Sequence, residues 1–184
     1  MACTFPIERE TAVWPPPAPL RELLLDADPD ERRIAGHLAH GELYVAKNCG
    51  TAAGVIVIRQ TREHTWEIMN CSVAPEYRRQ HCGTALVRHA LDIIRNKGGR
   101  YAEVGTSDAS PGPMALYESC GFQISGVINN HFTDNYPDPV WDNGVQCIDM
   151  IRMRADLSLR KEGAHHAAPV SYTHLRAHET PEHL

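Results

Sequence analysis

The run Val73-Ala74-Pro75-Glu76-Tyr77-Arg78-Arg79-Gln80-His81-Cys82-Gly83-Thr84-Ala85 carries the residues best suited to chemistry. A β-prone apolar stretch, Trp66 to Val73, feeds a short loop bearing two arginines. That loop passes through Gly83 directly into an amphipathic helix. The first turn of a helix presents unpaired N–H donors and the positive end of the backbone dipole, the requirements of an anion site. Gly83 and Ala85 keep bulk away from those donors, and Arg78 and Arg79 add charge. A ligand bearing linked phosphates is the expected occupant.

The elements around the loop follow from periodicity. Residues 3–10 read as a first strand. Leu20, Leu23, Leu24 and Ala27 have helical spacing, with Pro29 as a stop. Asp30 is placed to cap a second helix reaching Leu38. Residues 43–47 and 53–58 form a hairpin around Asn48-Cys49-Gly50, and residues 65–73 make the strand before the loop. The loop's helix spans about residues 83–97, with Leu86, Val87, Ala90, Leu91 and Ile94 as its buried stripe and Gly98-Gly99 as its end. A helical crossover then makes residues 101–105 a parallel strand. A short helix follows from Pro113 to Gly121, then strands at residues 122–128 and 146–154. A polar, aromatic loop at residues 129–145 separates the last two.

Gln80-x-x-Gly83-x-Ala85 resembles the acyl-CoA pyrophosphate signature of the GNAT N-acetyltransferase superfamily. A glutamate-bearing strand precedes it and Ala115-Leu116-Tyr117-Glu118-Ser119-Cys120-Gly121-Phe122 follows it, as in that family. The resemblance covers about residues 41–154. It implies an α/β GNAT fold, a mixed twisted sheet of six to seven strands flanked by about four helices, and acetyl-CoA as the acetyl donor. It also implies that Arg78, Arg79, Gln80, His81, Cys82, Gly83, Thr84 and Ala85 hold the pyrophosphate. Cys71, Ser72 and Val73 are then the main-chain partners of the pantetheine arm, and a backbone N–H near them serves the oxyanion. Ser110 stands where many members carry a cofactor-contacting asparagine, so it is only a candidate contact.

Acetyl transfer requires an amine to lose a proton and a thiolate to gain one. An alkyl amine has a pKa of about 10, so a base or water relay assists at neutral pH. Glu67 is the candidate base, and the resemblance makes Tyr117 the acid that protonates the thiolate. Strand alternation places Glu67, Met69 and Cys71 on one face and Trp66, Ile68, Asn70 and Ser72 on the other. Cys71 and Cys82 lack a local histidine-and-acid arrangement, so direct transfer is favoured over an acyl-enzyme. For the acceptor, Asp134, Tyr136, Asp138, Trp141 and Asp142 in the long loop suggest a small cationic amine, aminoglycoside antibiotics included. Turn capping explains the same acids equally well. A protein N-terminus or lysine is the alternative acceptor, and a non-catalytic acyl-CoA sensor is the non-enzymatic one.

The 184 residues suit one domain, here residues 1–157, followed by a tail at 158–184. A net charge of −5 argues against nucleic acid as a partner. Six scattered cysteines without a CxxC pair indicate neither a disulfide framework nor a metal site, and point to a reducing cytoplasm. No apolar run approaches membrane-spanning length, and a homodimer stays open. Five of the eleven histidines (His165, His166, His174, His178 and His183) fall in the tail. The stretch Val170 to Thr180 back-translates into a transposase-type sequencing adapter, so residues 170–184 are set aside as an artefact.

Overall fold

Alternating apolar faces and short polar turns fold the chain around one central sheet, seen in a computed structural model that describes residues 5–11 and 13–158. The first residues of the expected opening strand and the suspected adapter segment lie outside the described residues. In chain order the elements begin with β1 (Ile7–Glu10), α1 (Ala18–Ala27), α2 (Glu31–His40), β2 (Glu42–Asn48), β3 (Thr51–Arg62) and β4 (Thr65–Val73). A 3-10 turn at Pro75–Tyr77 leads to α3 (Cys82–Asn96), β5 (Tyr101–Ser107), α4 (Pro111–Ser119) and β6 (Gln123–Ile128). The chain continues through α5 (His131–Asn135), the small strands β7 (Trp141–Asp142) and β8 (Val145–Gln146), and β9 (Met150–Asp156).

Seven strands form the main sheet in the order β1-β2-β3-β4-β5-β9-β6, and β7 and β8 pair separately. Among the described strands only β4 and β5 pair in parallel, because α3 carries the chain back between them. Their ladder covers Thr65–Ile68 against Tyr101–Val104 and stops there. Beyond Ile68 the two strands diverge, leaving a gap in the middle of the sheet.

Helices cover both faces. On one side Leu20, Leu23, Leu24 and Ile34 of α1 and α2 pack with Leu43, Val45, Val55 and Val57. On the other, Leu86, Val87, Ala90 and Ile94 of α3 pack with Ile56, Ile58, Trp66, Ile68, Tyr117 and Phe122. Asp30 caps α2 as its position suggests, its carboxylate accepting from the amides of Arg32 and Arg33.

The expected alternation along β4 is overturned by a bulge. Val57 of β3 faces Asn70 and Ile58 faces Ile68, so Met69 has no opposite number. The extra residue reverses the phase of everything after it. Trp66 and Ile68 lie on the α3 side, where Cys71 and Val73 also pack. Met69 packs on the α1–α2 side. Asn70 donates to the Leu24 carbonyl and Ser72 to the Asp26 carboxylate of α1. Glu67 and Cys71 therefore face opposite ways. Among the described residues a fifth helix, α5, forms inside the long loop.

Candidate active site

The gap between β4 and β5 is bounded by the residues singled out in the sequence. On its α3–α4 side stand Cys71, Val73 and Tyr117. Tyr117 is 6 % exposed, and its ring packs edge-to-face on Phe122 with centroids 5.6 Å apart. Its hydroxyl is hydrogen-bonded to the Cys71 thiol. Burial, then the adjacent Cys71, push the phenol well above its ordinary value, so it stays protonated. Burial likewise pushes the Cys71 thiol up to about 12, which makes it a poor nucleophile.

Helix α3 begins beside this wall. His81, in the left-handed region at φ 64°, precedes it without a side-chain cap, and the first intrahelical bond runs from the Ala85 N–H to the His81 carbonyl. The amides of Cys82, Gly83 and Thr84 precede that bond and have no intrahelical acceptor. Arg79 is also left-handed, at φ 60°. Alternating backbone of this kind turns neighbouring amides toward one concavity, which suits an anion. The donor set fits a pyrophosphate. Arg79, Gln80 and His81 are exposed, Cys82 is buried, and Thr84 and Ala85 are half-buried.

Two details differ from the simple reading of this loop. A Cβ on Gly83 would lie 3.1 Å from Leu116 Cδ2 and 3.6 Å from Val73 Cγ2, so its smallness also lets α4 approach α3. Gly83→Val is expected to cost ~1–3 kcal/mol through overpacking and to weaken coenzyme A binding by displacing α4. Thermal unfolding and calorimetry check both. Arg78 in turn donates from Nε to the Val73 carbonyl (2.9 Å) and from its guanidinium to Asp26 (2.8 Å). It ties the loop to β4 and α1, leaving Arg79 as the more open charge.

The α1–α2 side of the gap is charged. Glu67 pairs with Arg152 at 2.5 Å, and Arg152 also reaches Glu103. The long loop closes over this end. Tyr136 stacks on Phe132, lies beneath the Arg33 guanidinium (4.8 Å from its ring centroid) and donates its hydroxyl to Asp28 at 3.3 Å. Burial raises the Asp28 carboxyl, with its hydrogen bonds and Arg33 pulling the other way. Burial lowers both His37 and His131 from the ordinary 6.5, so both imidazoles are neutral at pH 7. Tyr136, by burial and then Asp28, is pushed up to about 12.

The remaining loop residues scatter. Ser110, at the start of α4, donates to Asp142, which Asn143 also contacts. Asp134, Asp138 and Trp141 are exposed. Asp149 accepts from the Asn130 amide. Among the expected acceptor residues, only Tyr136 meets the charged end of the gap. Asp28, Arg33, His37, Arg59 and Arg152 join it there without having been singled out. Arg59 alone left a signal, a charge ending the apolar run Val55 to Ile58.

This gap between diverging parallel strands, beside an open helix start, defines an acyl-CoA-dependent transferase. The acetyltransferase (GNAT) family model matches residues 7–122, and the chain belongs to that family. The chain is 36 % identical over 138 residues to the uncharacterized N-acetyltransferase YvbK of Bacillus subtilis (strain 168), covering 75 % of this chain and 89 % of that protein. It is similar to the structure titled IAA acetyltransferase from Bacillus cereus ATCC 14579 (38 % identity, TM-score 0.77, 83 % of this chain and 99 % of that one). A GNAT family acetyltransferase from Elizabethkingia anophelis, solved with acetyl-CoA bound, matches at 36 % identity and TM-score 0.77, with coverage of 83 % and 97 %. The protein is an acetyl-CoA-dependent N-acetyltransferase. None of its described helices is long and apolar enough to cross a membrane.

Proposed function

We propose that the protein acetylates the primary amine of a small molecule by direct transfer, with Tyr117 on the thiolate side and Glu67 on the amine side. The observation that carries this reading is the placement of the two groups. They lie on opposite faces of β4, and the parting of β4 from β5 lets one ternary complex reach both. Acetyl-CoA supplies the activated acetyl group. The amides at the start of α3 and Arg79 hold its phosphates, and main-chain groups of Cys71, Ser72 and Val73 hold its arm. The bulge at Met69 supports a main-chain N–H there as the oxyanion donor.

The loop supports a small acceptor over a peptide, because Tyr136 reaches Asp28 and roofs the end that an extended chain would need open. A polycation such as an aminoglycoside draws support from exposed Asp134 and Asp138. Asp142 and Asp149, by contrast, already accept hydrogen bonds within the loop. Scattered cysteines without a CxxC pair support a reducing cytoplasm. The sheet-edge strand β6, exposing Ile124, Val127 and Ile128, is the natural face for a homodimer.

A thiol-release screen of amines with acetyl-CoA tests the reading, and absence of turnover with every small amine rejects it. Glu67→Gln is expected to lower kcat/KM about 10- to 100-fold near pH 7. The deficit should shrink as pH rises toward the amine's own pKa of about 10, where no base is needed. A variant with a wild-type pH profile removes Glu67 from that role.

A further inference from the structure

One row of charged residues crosses the sheet in register. Arg59 of β3 faces Glu67 of β4, Glu67 faces Glu103 of β5, and Glu103 faces Arg154 of β9. Glu103 answers Arg154 through two hydrogen bonds and takes a third from Arg62. Glu67 turns to Arg152. Arg59 is thereby left over. It is half-buried, and no described residue forms an ion pair or side-chain hydrogen bond with it. Register puts its side chain on the α1–α2 face beside Glu67, and it acts electrostatically on His37 of α2 together with Arg33, Asp28 and Glu67.

A partly desolvated guanidinium lacking an anion is an unfavourable arrangement, and its planar donors match a carboxylate in two-point contact. The surroundings do not supply that carboxylate. Arg33 pairs with Asp30, and Arg152 with Glu67 and Glu103, which leaves Arg59 as the guanidinium without an ion pair among the described residues at this end. Glu67 is held by Arg152, Asp28 accepts from Tyr136 and from the Asp30 amide, and His37 and His131 carry no negative charge.

We infer that Arg59 is the acceptor's anchor, and that the acceptor is a small molecule bearing a carboxylate near its primary amine, in the manner of an amino acid. The carboxylate binds Arg59 on β3, and the amine is carried toward Glu67 and the gap. This assignment rests on the small-amine reading above and narrows it. It sets the polycationic acceptor in second place, since the guanidinium of Arg59 repels one.

The test uses the full chain, acetyl-CoA and matched probes: α- and β-amino acids, their carboxamides and the corresponding decarboxylated amines. Wild type is expected to favour the acids by roughly 10- to 100-fold in kcat/KM, the range of one charge-assisted contact. Arg59→Gln should bring that ratio close to one and leave the KM for acetyl-CoA unchanged, with Arg59→Lys restoring part of it. Equal or faster turnover of the carboxamides, amines or aminoglycosides by wild type overturns the assignment alone. So does a preference for acids that survives in Arg59→Gln. No transfer to any probe, by folded protein that binds acetyl-CoA normally, overturns the small-amine reading and this assignment with it.

Discussion

Tyr117→Phe is expected to cut kcat by about 100-fold or more, the scale of a positioned proton donor, while coenzyme A binds nearly as before. The substitution removes one oxygen and keeps the ring. Its edge-to-face contact with Phe122 and its place in the core survive, so the fold tolerates the change. What disappears is the hydroxyl now bonded to Cys71 at the wall of the gap. The pH dependence sharpens the expectation. A phenol ordinarily near 10.0 is driven higher here because burial disfavours its anion and Cys71 adds to the effect. An acid must hold its proton to give it, so this group is competent throughout the neutral and mildly alkaline range. The wild-type rate should therefore show no alkaline decline attributable to Tyr117 below about pH 10. Steady-state kinetics by thiol release, paired with calorimetry for coenzyme A, reads both quantities. An unaltered kcat in the variant eliminates the hydroxyl as the acid. Equal losses of binding and turnover reassign it to holding the cofactor.

Tyr117 also illustrates which features a sequence exposes. Local patterns were legible: the 65–73 strand, the Asp30 cap, the 3.6-residue stripe of α3 and the parallel crossover all depend on neighbours a few residues apart. The bulge at Met69 was not legible. Trp66, Ile68, Met69, Cys71 and Val73 are apolar on both parities because β4 is covered by helices on both faces, so a one-residue slip leaves the pattern unchanged. Helix α5, five residues long, is too short to imprint a period. The role of Arg78 was hidden differently. Two arginines before a helix start suggest phosphate, but one of them meets Asp26, 52 positions earlier in the chain. Tyr136 and Asp28 are separated by 108 positions, and nothing in either segment announces the other. The proposed acceptor end is built almost wholly from such distant meetings, whereas the proposed phosphate loop is one continuous segment. That is why the donor could be named from the sequence and the acceptor could not.

Removing the buried carboxylate at the centre of the charged row should destabilise the protein more than any change to its surface charges. Glu103 has a side chain 12 % exposed and is contacted by Arg62, Arg152 and Arg154. Glu103→Gln leaves three guanidiniums facing an uncharged amide. Loss of one partner from a buried pair costs several kcal/mol, but these arginines are 23 % to 60 % exposed and water screens part of the deficit. A loss of ~1–3 kcal/mol is expected, or a fall in Tm of roughly 2–4 °C per kcal/mol. The sign with pH follows from linkage. Burial alone would raise the Glu103 carboxyl, but Arg154 and then Arg62 and Arg152 bring it below the ordinary 4.5. A carboxyl with a lowered folded pKa contributes stability above its unfolded value and loses it as pH falls through the folded one. The difference between wild type and Glu103→Gln should thus be largest near neutrality and narrow as pH falls below the ordinary 4.5 and through the lowered native value, as the carboxylate takes a proton. Salt should narrow it too. Denaturant unfolding of both proteins at neutral and acidic pH distinguishes this from a packing defect, because a difference of equal size at both would trace to side-chain fit rather than charge.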